Sequence, residues 1–82
     1  MQDFEYNGVY YGTFTDFKRC ANKSKTAAKR SVRRAARWYR NDPTEQNHAI
    51  LLHCMGRLAD AFVLLRHCRE IEQERAKQWQ RN

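Results

Sequence analysis

A chain of 82 residues forms one domain at most, and a core of that size is only modestly stable. Its apolar fraction of 41% excludes wholesale disorder, and its three cysteines are too few, and odd in number, for a disulfide framework. The net charge of +7 favours an anionic partner.

The positive charge is concentrated in one segment of the chain. Residues 1–16 carry three acidic residues and no lysine or arginine, and residues 17–41 carry ten lysines and arginines and no acidic residue. Residues 42–82 carry six residues of each sign. An imbalance confined to one segment predicts a surface that faces a polyanion such as nucleic acid.

Residues 1–12 predict a β-hairpin. Asn7-Gly8 lies between aromatic and β-branched residues, and this dipeptide supplies the two positive φ angles that a type I′ turn requires. The turn places Glu5 and Tyr10 on one face of the ribbon. The other face, which we expect to be buried, carries four side chains: Phe4, Tyr6, Val9 and Tyr11. A two-stranded ribbon is marginal alone, so that face must pack on something apolar.

A helix is predicted over residues 14–41, where Thr13 and Asp16 have the spacing of a capping box. At about 100° per residue, the small and apolar side chains fall within a stripe about 140° wide. The members of this stripe are Phe17, Cys20, Ala21, Ser24, Ala27, Ala28, Ser31, Val32, Ala35, Trp38 and Tyr39. We expect the stripe to pack against the rest of the protein.

The remaining arc of this helix carries the predicted binding site. Its ten residues are Lys18, Arg19, Lys23, Lys25, Lys29, Arg30, Arg33, Arg34, Arg37 and Arg40. Like-charge neighbours four residues apart, such as Lys29 and Arg33, each cost about 0.2–0.5 kcal/mol. Because a solubilising face would intersperse both signs, we predict that these cations bind the phosphate backbone of nucleic acid or an acidic groove on another protein. The alternative is a face that is neutralised within the protein or simply solvated.

Base recognition has little support in the sequence. No zinc finger, aromatic RNP-type motif or helix-turn-helix is recognisable, so we expect binding that tolerates different nucleic-acid sequences. Tyr10 is the one candidate for stacking on bases, because it lies on the ribbon face opposite the expected core.

Residues 43–78 predict a second long helix. Asp42 can cap it, Pro43 suits the first helical position, and Glu45 has the spacing of a capping box. Because the connection is short, the two helices should form an antiparallel hairpin within a single domain, residues 1–82. Counting outward from the turn sets small residues opposite one another, with Ala27 and Ala28 facing Gly56 and Ala59.

The second helix is apolar over most of its circumference between Ala49 and Leu65, where only His53, Arg57 and Asp60 are strongly polar. A helix of this kind is buried on more than one side, and the first helix can cover only one. We therefore expect a mainly α fold that forms a homodimeric helical bundle with the second helices at its centre. The strongly apolar stretch is too short to span a bilayer, which predicts no membrane partner.

Metal and catalytic sites are not expected. His53-Cys54 and His67-Cys68 supply suitable atoms, but no cysteine–histidine pair of this helix has i,i+3 or i,i+4 spacing. The chain has no Gly-rich phosphate loop, nucleophile elbow or paired carboxylates on one apolar face. We predict a non-enzymatic protein with no cofactor. Its three cysteines, of which Cys20 comes first in the chain, are expected to be free thiols in a reducing compartment.

The stretch GVYYGTFTDFKRCANKSKTAAKR resembles the small early and accessory proteins of lytic bacteriophages, which are short, basic and led by aromatic residues. The resemblance implies a protein that binds and disables a host enzyme or defence complex in the cytoplasm of a bacterial host. It implies no role for any single residue. The alternative to nucleic-acid binding is therefore a phage-type inhibitor or adaptor that binds a host protein through the same basic helix.

Overall fold

The computed structural model describes residues 4–81, with side chains through Trp79, and forms two strands and two helices in that range. The elements are β1 (Glu5–Tyr6), β2 (Val9–Tyr10), α1 (Phe14–Asn41) and α2 (Glu45–Arg81). The helices pack side by side and antiparallel in a rod of 59 × 22 × 16 Å. The predicted fold class, a β-hairpin followed by a two-helix hairpin, is confirmed.

The ribbon forms as the sequence predicts. Its register is Glu5 opposite Tyr10 and Tyr6 opposite Val9. Asn7 and Gly8 have φ angles of 51° and 80°, the left-handed values that a type I′ turn needs. Two further backbone bonds lengthen the pairing, because Phe4 N–H donates to the Gly12 carbonyl and Tyr11 N–H donates to the Phe4 carbonyl, both at 2.8 Å.

Phe17 holds the ribbon against the helices. It is 1% exposed, and its ring centroid lies 4.7–5.4 Å from three ribbon rings, those of Phe4, Tyr6 and Tyr11. Ala21 and Cys68 complete this buried cluster. Val9 was predicted to join the cluster but is 50% exposed, because its short side chain, next to the turn, does not reach the core as the neighbouring aromatic rings do.

The packed stripe of α1 is narrower than predicted. Its buried members are Phe17, Ala21, Ala28 and Ala35. Four residues that were predicted to lie in the stripe are exposed: Cys20, Ser24, Ala27 and Trp38. One helix covers α1, and a contact between two helices follows a narrow seam, whereas a stripe about 140° wide would need a second neighbour.

The three thiols differ in protection. Cys20 is exposed, Cys54 is half-buried and Cys68 is buried. Burial raises the pKa of the Cys68 thiol above its usual range, and the Glu72 carboxylate adds to this rise against the opposing charge of Lys18. Cys68 therefore acts as a small apolar core residue at neutral pH.

The start of α2 differs from the prediction. Asp42 ends α1, since its N–H donates to the Trp38 carbonyl at 2.9 Å. The cap of α2 is Thr44, whose Oγ1 accepts from Asn47 N–H at 3.1 Å, and the helix begins at Glu45 instead of residue 43. At its other end α2 continues to Arg81, beyond the predicted residue 78.

The later start of α2 changes which small residues meet. Ala28 shares a groove with Ala61 and Arg57, and Ala61 is 3% exposed. A Cβ atom added at Gly56 would meet nothing within 4 Å. The predicted contact of Ala27 and Ala28 with Gly56 and Ala59 is therefore wrong, because the register of a helical hairpin follows the length of its turn.

Candidate nucleic-acid interface

A capping box fixes the start of α1 and thereby the position of its cations. Asp16 N–H donates to Thr13 Oγ1, and Thr13 N–H donates to Asp16 Oδ2, both at 3.1 Å. These hydrogen bonds, helped by the nearby Arg19 charge, hold the pKa of the Asp16 carboxyl below its usual value. The carboxylate form therefore stabilises the first turn, where it also favours the positive end of the helix dipole.

The predicted binding residues all lie on α1 and most are exposed, but two of them reach α2: Lys18 pairs with Glu72, and Lys29 Nζ lies 5.9 Å from the centroid of the Phe62 ring. We call these ten residues of α1 the basic face: Lys18, Arg19, Lys23, Lys25, Lys29, Arg30, Arg33, Arg34, Arg37 and Arg40. Lys25 is half-buried and the other nine are exposed. The opposite side of α1 carries the buried alanines that contact α2, so packing sets the orientation of the cations.

Among residues 4–79, carboxylates pair only with the end of the basic face near the ribbon. Lys18 Nζ lies 2.8 Å from Glu72 Oε1, and Arg19 Nη1 lies 3.6 Å from Asp16 Oδ1. The other eight of the ten cations have no carboxylate of residues 4–79 within 4.0 Å. The eight unpaired cations are Lys23, Lys25, Lys29, Arg30, Arg33, Arg34, Arg37 and Arg40.

The unpaired cations extend along most of α1. From Lys23 to Arg40 the helix rises about 26 Å, at about 1.5 Å per residue. B-DNA carries one phosphate per strand for about every 3.4 Å of the duplex axis, so a duplex segment of this length carries about seven phosphates on each strand. The arrangement suits a polyanion that lies along the helix.

The polar side chains among these cations are used within the helix. Asn22 Nδ2 donates to the Lys18 carbonyl, and Thr26 Oγ1 donates to the Asn22 carbonyl, both at 3.1 Å. They line a shallow open groove together with Arg30 and other cations. Because the Thr26 hydroxyl proton and one of the two Asn22 amide hydrogens are used in this way, the face offers charge for phosphate contact more than hydrogen-bond donors for base edges.

Tyr10 lies apart from the basic face. Its side chain is 70% exposed, which leaves the ring accessible for stacking. However, the Cα atoms of β2 lie more than 8 Å from those of α1 and α2. The structure therefore does not bring Tyr10 together with the cations into one continuous site.

The two histidine–cysteine dipeptides differ, because His53 is exposed whereas His67 and Cys68 pack in the fold. The His67 ring lies 4.8 Å from the Tyr6 ring, and its Nδ1 lies 3.9 Å from Glu70 Oε2. In the part of the chain that the structure describes, no three histidine, cysteine, aspartate or glutamate side chains are grouped to hold a metal ion.

Comparison of the chain with protein-family models, with curated proteins and with solved structures found no match. The function is therefore inferred from the geometry and the charge of the basic face.

Proposed function

We propose that this protein binds nucleic acid through the basic face of α1, contacting the phosphate backbone without catalysing a reaction. The observation that carries the proposal is the run of eight exposed or half-buried cations with no carboxylate of residues 4–79 within 4.0 Å. Phosphate contact of this kind depends strongly on salt and is largely independent of base sequence.

Charge repulsion within α1 supports a binding role over simple solvation. Lys29, Arg33 and Arg37 follow one another at i,i+4, and each like-charge pair destabilises the helix by about 0.2–0.5 kcal/mol. A bound polyanion would neutralise these pairs and stabilise α1. Six carboxylates are available elsewhere in residues 42–82, yet Glu72 is the only one of them within the described side chains that pairs with the basic face.

The test measures binding to random 20-base-pair DNA and RNA by fluorescence anisotropy at several salt concentrations. Four to eight phosphate contacts predict a slope of log K against log salt between about −3.6 and −7. The quadruple variant Arg30→Gln, Arg33→Gln, Arg34→Gln, Arg37→Gln should bind more weakly, with a slope shallower by up to about 3.6.

A matched control removes the same charge from the other helix. It carries Arg57→Gln, Arg66→Gln, Arg69→Gln and Lys77→Gln and should keep most of the salt dependence. Equal loss in both variants would mean that net charge, and not the basic face, drives binding. Absence of any binding at low salt would contradict the proposal and favour an acidic host protein as the partner. Unchanged binding in the quadruple glutamine variant would show that the basic face is only solvated and binds no nucleic acid.

A further inference from the structure

α2 exposes an apolar stripe that α1 leaves largely uncovered, with Lys29 Nζ of α1 at one edge, 5.9 Å from the centroid of the Phe62 ring. The stripe consists of Leu52, Met55, Gly56, Ala59, Phe62 and Val63, all of them exposed. Its four large side chains are exposed to between 48% and 59%. Three other leucines of α2, Leu51, Leu58 and Leu65, are half-buried in the hairpin and do not belong to the stripe.

We propose that the apolar stripe binds the same stripe of a second copy of this chain, in antiparallel orientation. The surface area supports a second copy. The chain exposes 6807 Å², whereas a compact monomer of 9.9 kDa exposes roughly 5,200 Å². The excess, roughly 1,600 Å², exceeds the 800 Å² or so that each partner buries in a standard interface.

The small core of the single chain also supports a second copy as the partner of the stripe. Phe17 and Cys68 are its largest fully buried side chains, and both lie at the ribbon end of the hairpin. Toward the turn the buried residues of α1 are only Ala28 and Ala35. Alanine contacts bury little apolar area, so this half of the hairpin gains stability from a further apolar neighbour.

The order of side-chain sizes favours the antiparallel orientation. Along the stripe, two large residues are followed by the small Gly56 and Ala59 and then by two more large residues. In an antiparallel pair, Met55 of each copy lies over Ala59 of the other, and Leu52 lies over Phe62. A parallel pair would set Phe62 against itself and leave a gap between the glycines, and such gaps are destabilising.

A membrane is a less suitable partner for the stripe than a second copy of the chain. By length and composition α2 contains one 18-residue window apolar enough to cross a membrane, of which 6% is buried. However, the exposed stripe from Leu52 to Val63 is only about 17 Å long, against about 30 Å for a bilayer core. Arg57 and Asp60 would each cost about 2.5–3.5 kcal/mol at the bilayer centre.

Sedimentation velocity of the full chain, without nucleic acid, tests the inference independently of the proposed function. We expect a dimer of about twice 9.9 kDa at tens of micromolar. Val63→Glu should raise the dimer Kd at least tenfold, because it places a charge in the stripe at a position that is 59% exposed in the single chain. Trp79→Glu is the matched control, since Trp79 is 82% exposed but lies outside the stripe.

Disulfide cross-linking tests the orientation. In a background whose three native cysteines are alanine, with helicity checked by circular dichroism, a Met55→Cys chain is mixed with an Ala59→Cys chain. Mixed cross-links should predominate, and predominance of same-variant cross-links would overturn the antiparallel orientation. Three results would contradict the proposal that a second copy covers the stripe. They are a monomeric wild-type chain, a Val63→Glu chain that dimerises normally, and flotation of the wild type with phosphatidylcholine vesicles.

Discussion

At the level of single residues, three neighbouring positions decide how the ribbon passes into α1. Gly12 has a φ of 81°, and a Cβ atom there would lie 2.8 Å from Asp16 Oδ2. The carboxylate occupies this space because it accepts the Thr13 N–H bond. Gly12, Thr13 and Asp16 therefore act together, since a larger residue at position 12 would displace the group that caps the helix.

The lowered pKa of Asp16 makes the stability of α1 depend on pH. The hydrogen bonds with Thr13 favour the carboxylate in the folded chain, so their contribution is present above the unfolded pKa of about 3.9. It is lost as the pH falls through the lower folded pKa. We expect Asp16→Asn to remove this component, so that urea unfolding followed by circular dichroism at pH 7 and pH 2.5 shows a smaller loss than in the wild type. Equal losses in both proteins would contradict the capping role.

At the level of elements, Phe17 is the contact that joins the ribbon to both helices. Phe17→Ala should lower the free energy of unfolding by about 3–5 kcal/mol, because it removes a fully buried ring beneath three ribbon rings. Tyr10→Ala is the matched control, since Tyr10 is an aromatic ribbon residue that is 70% exposed and should change stability by less than about 0.5 kcal/mol. Urea unfolding measures both. Similar losses would mean that the ribbon is not held by Phe17.

Elements set by local chemistry were predictable from the sequence, and their mutual register was not. Asn7-Gly8 and the Thr13–Asp16 pair predict the ribbon turn and the first residue of α1 where the structure has them. The start of α2 was wrong, because Asp42 and Thr44 can both cap a helix and local spacing does not choose between them. The contacts between helices then shift along the hairpin, which local patterns cannot specify.

In the candidate site, too, local pattern predicts some features, and others depend on the register of the two helices. Helical periodicity alone predicts that the ten cations lie outside the packed stripe of α1, and in the structure nine of them are exposed and Lys25 is half-buried. The ion pair of Lys18 with Glu72 joins residues of different helices, so it depends on the register and was not predicted. The apolar side chains of α2 were recognised, but which of them α1 would cover also depends on that register.

At the level of the whole molecule, the chain is layered. The basic face lies on α1, the two helices meet at small buried residues, and the apolar stripe lies on α2, with Lys29 Nζ 5.9 Å from the centroid of the Phe62 ring. In the proposed dimer the stripes meet at the centre, so both basic faces lie outside. Three helix spacings of about 8–10 Å would separate the two α1 axes by about 24–30 Å. The two proposals together describe a particle with two outward phosphate-binding surfaces.

Such a particle should bridge two nucleic acids instead of enclosing one. We expect energy transfer between separately labelled donor and acceptor duplexes when the wild-type dimer is added at low salt. Val63→Glu should bind each duplex, since the basic face is unchanged, but give little transfer, because a monomer has one such face. The Arg30 to Arg37 glutamine variant should weaken both binding and transfer. A wild-type dimer that binds without transfer would mean that the two basic faces contact the same duplex, which the layered arrangement does not allow.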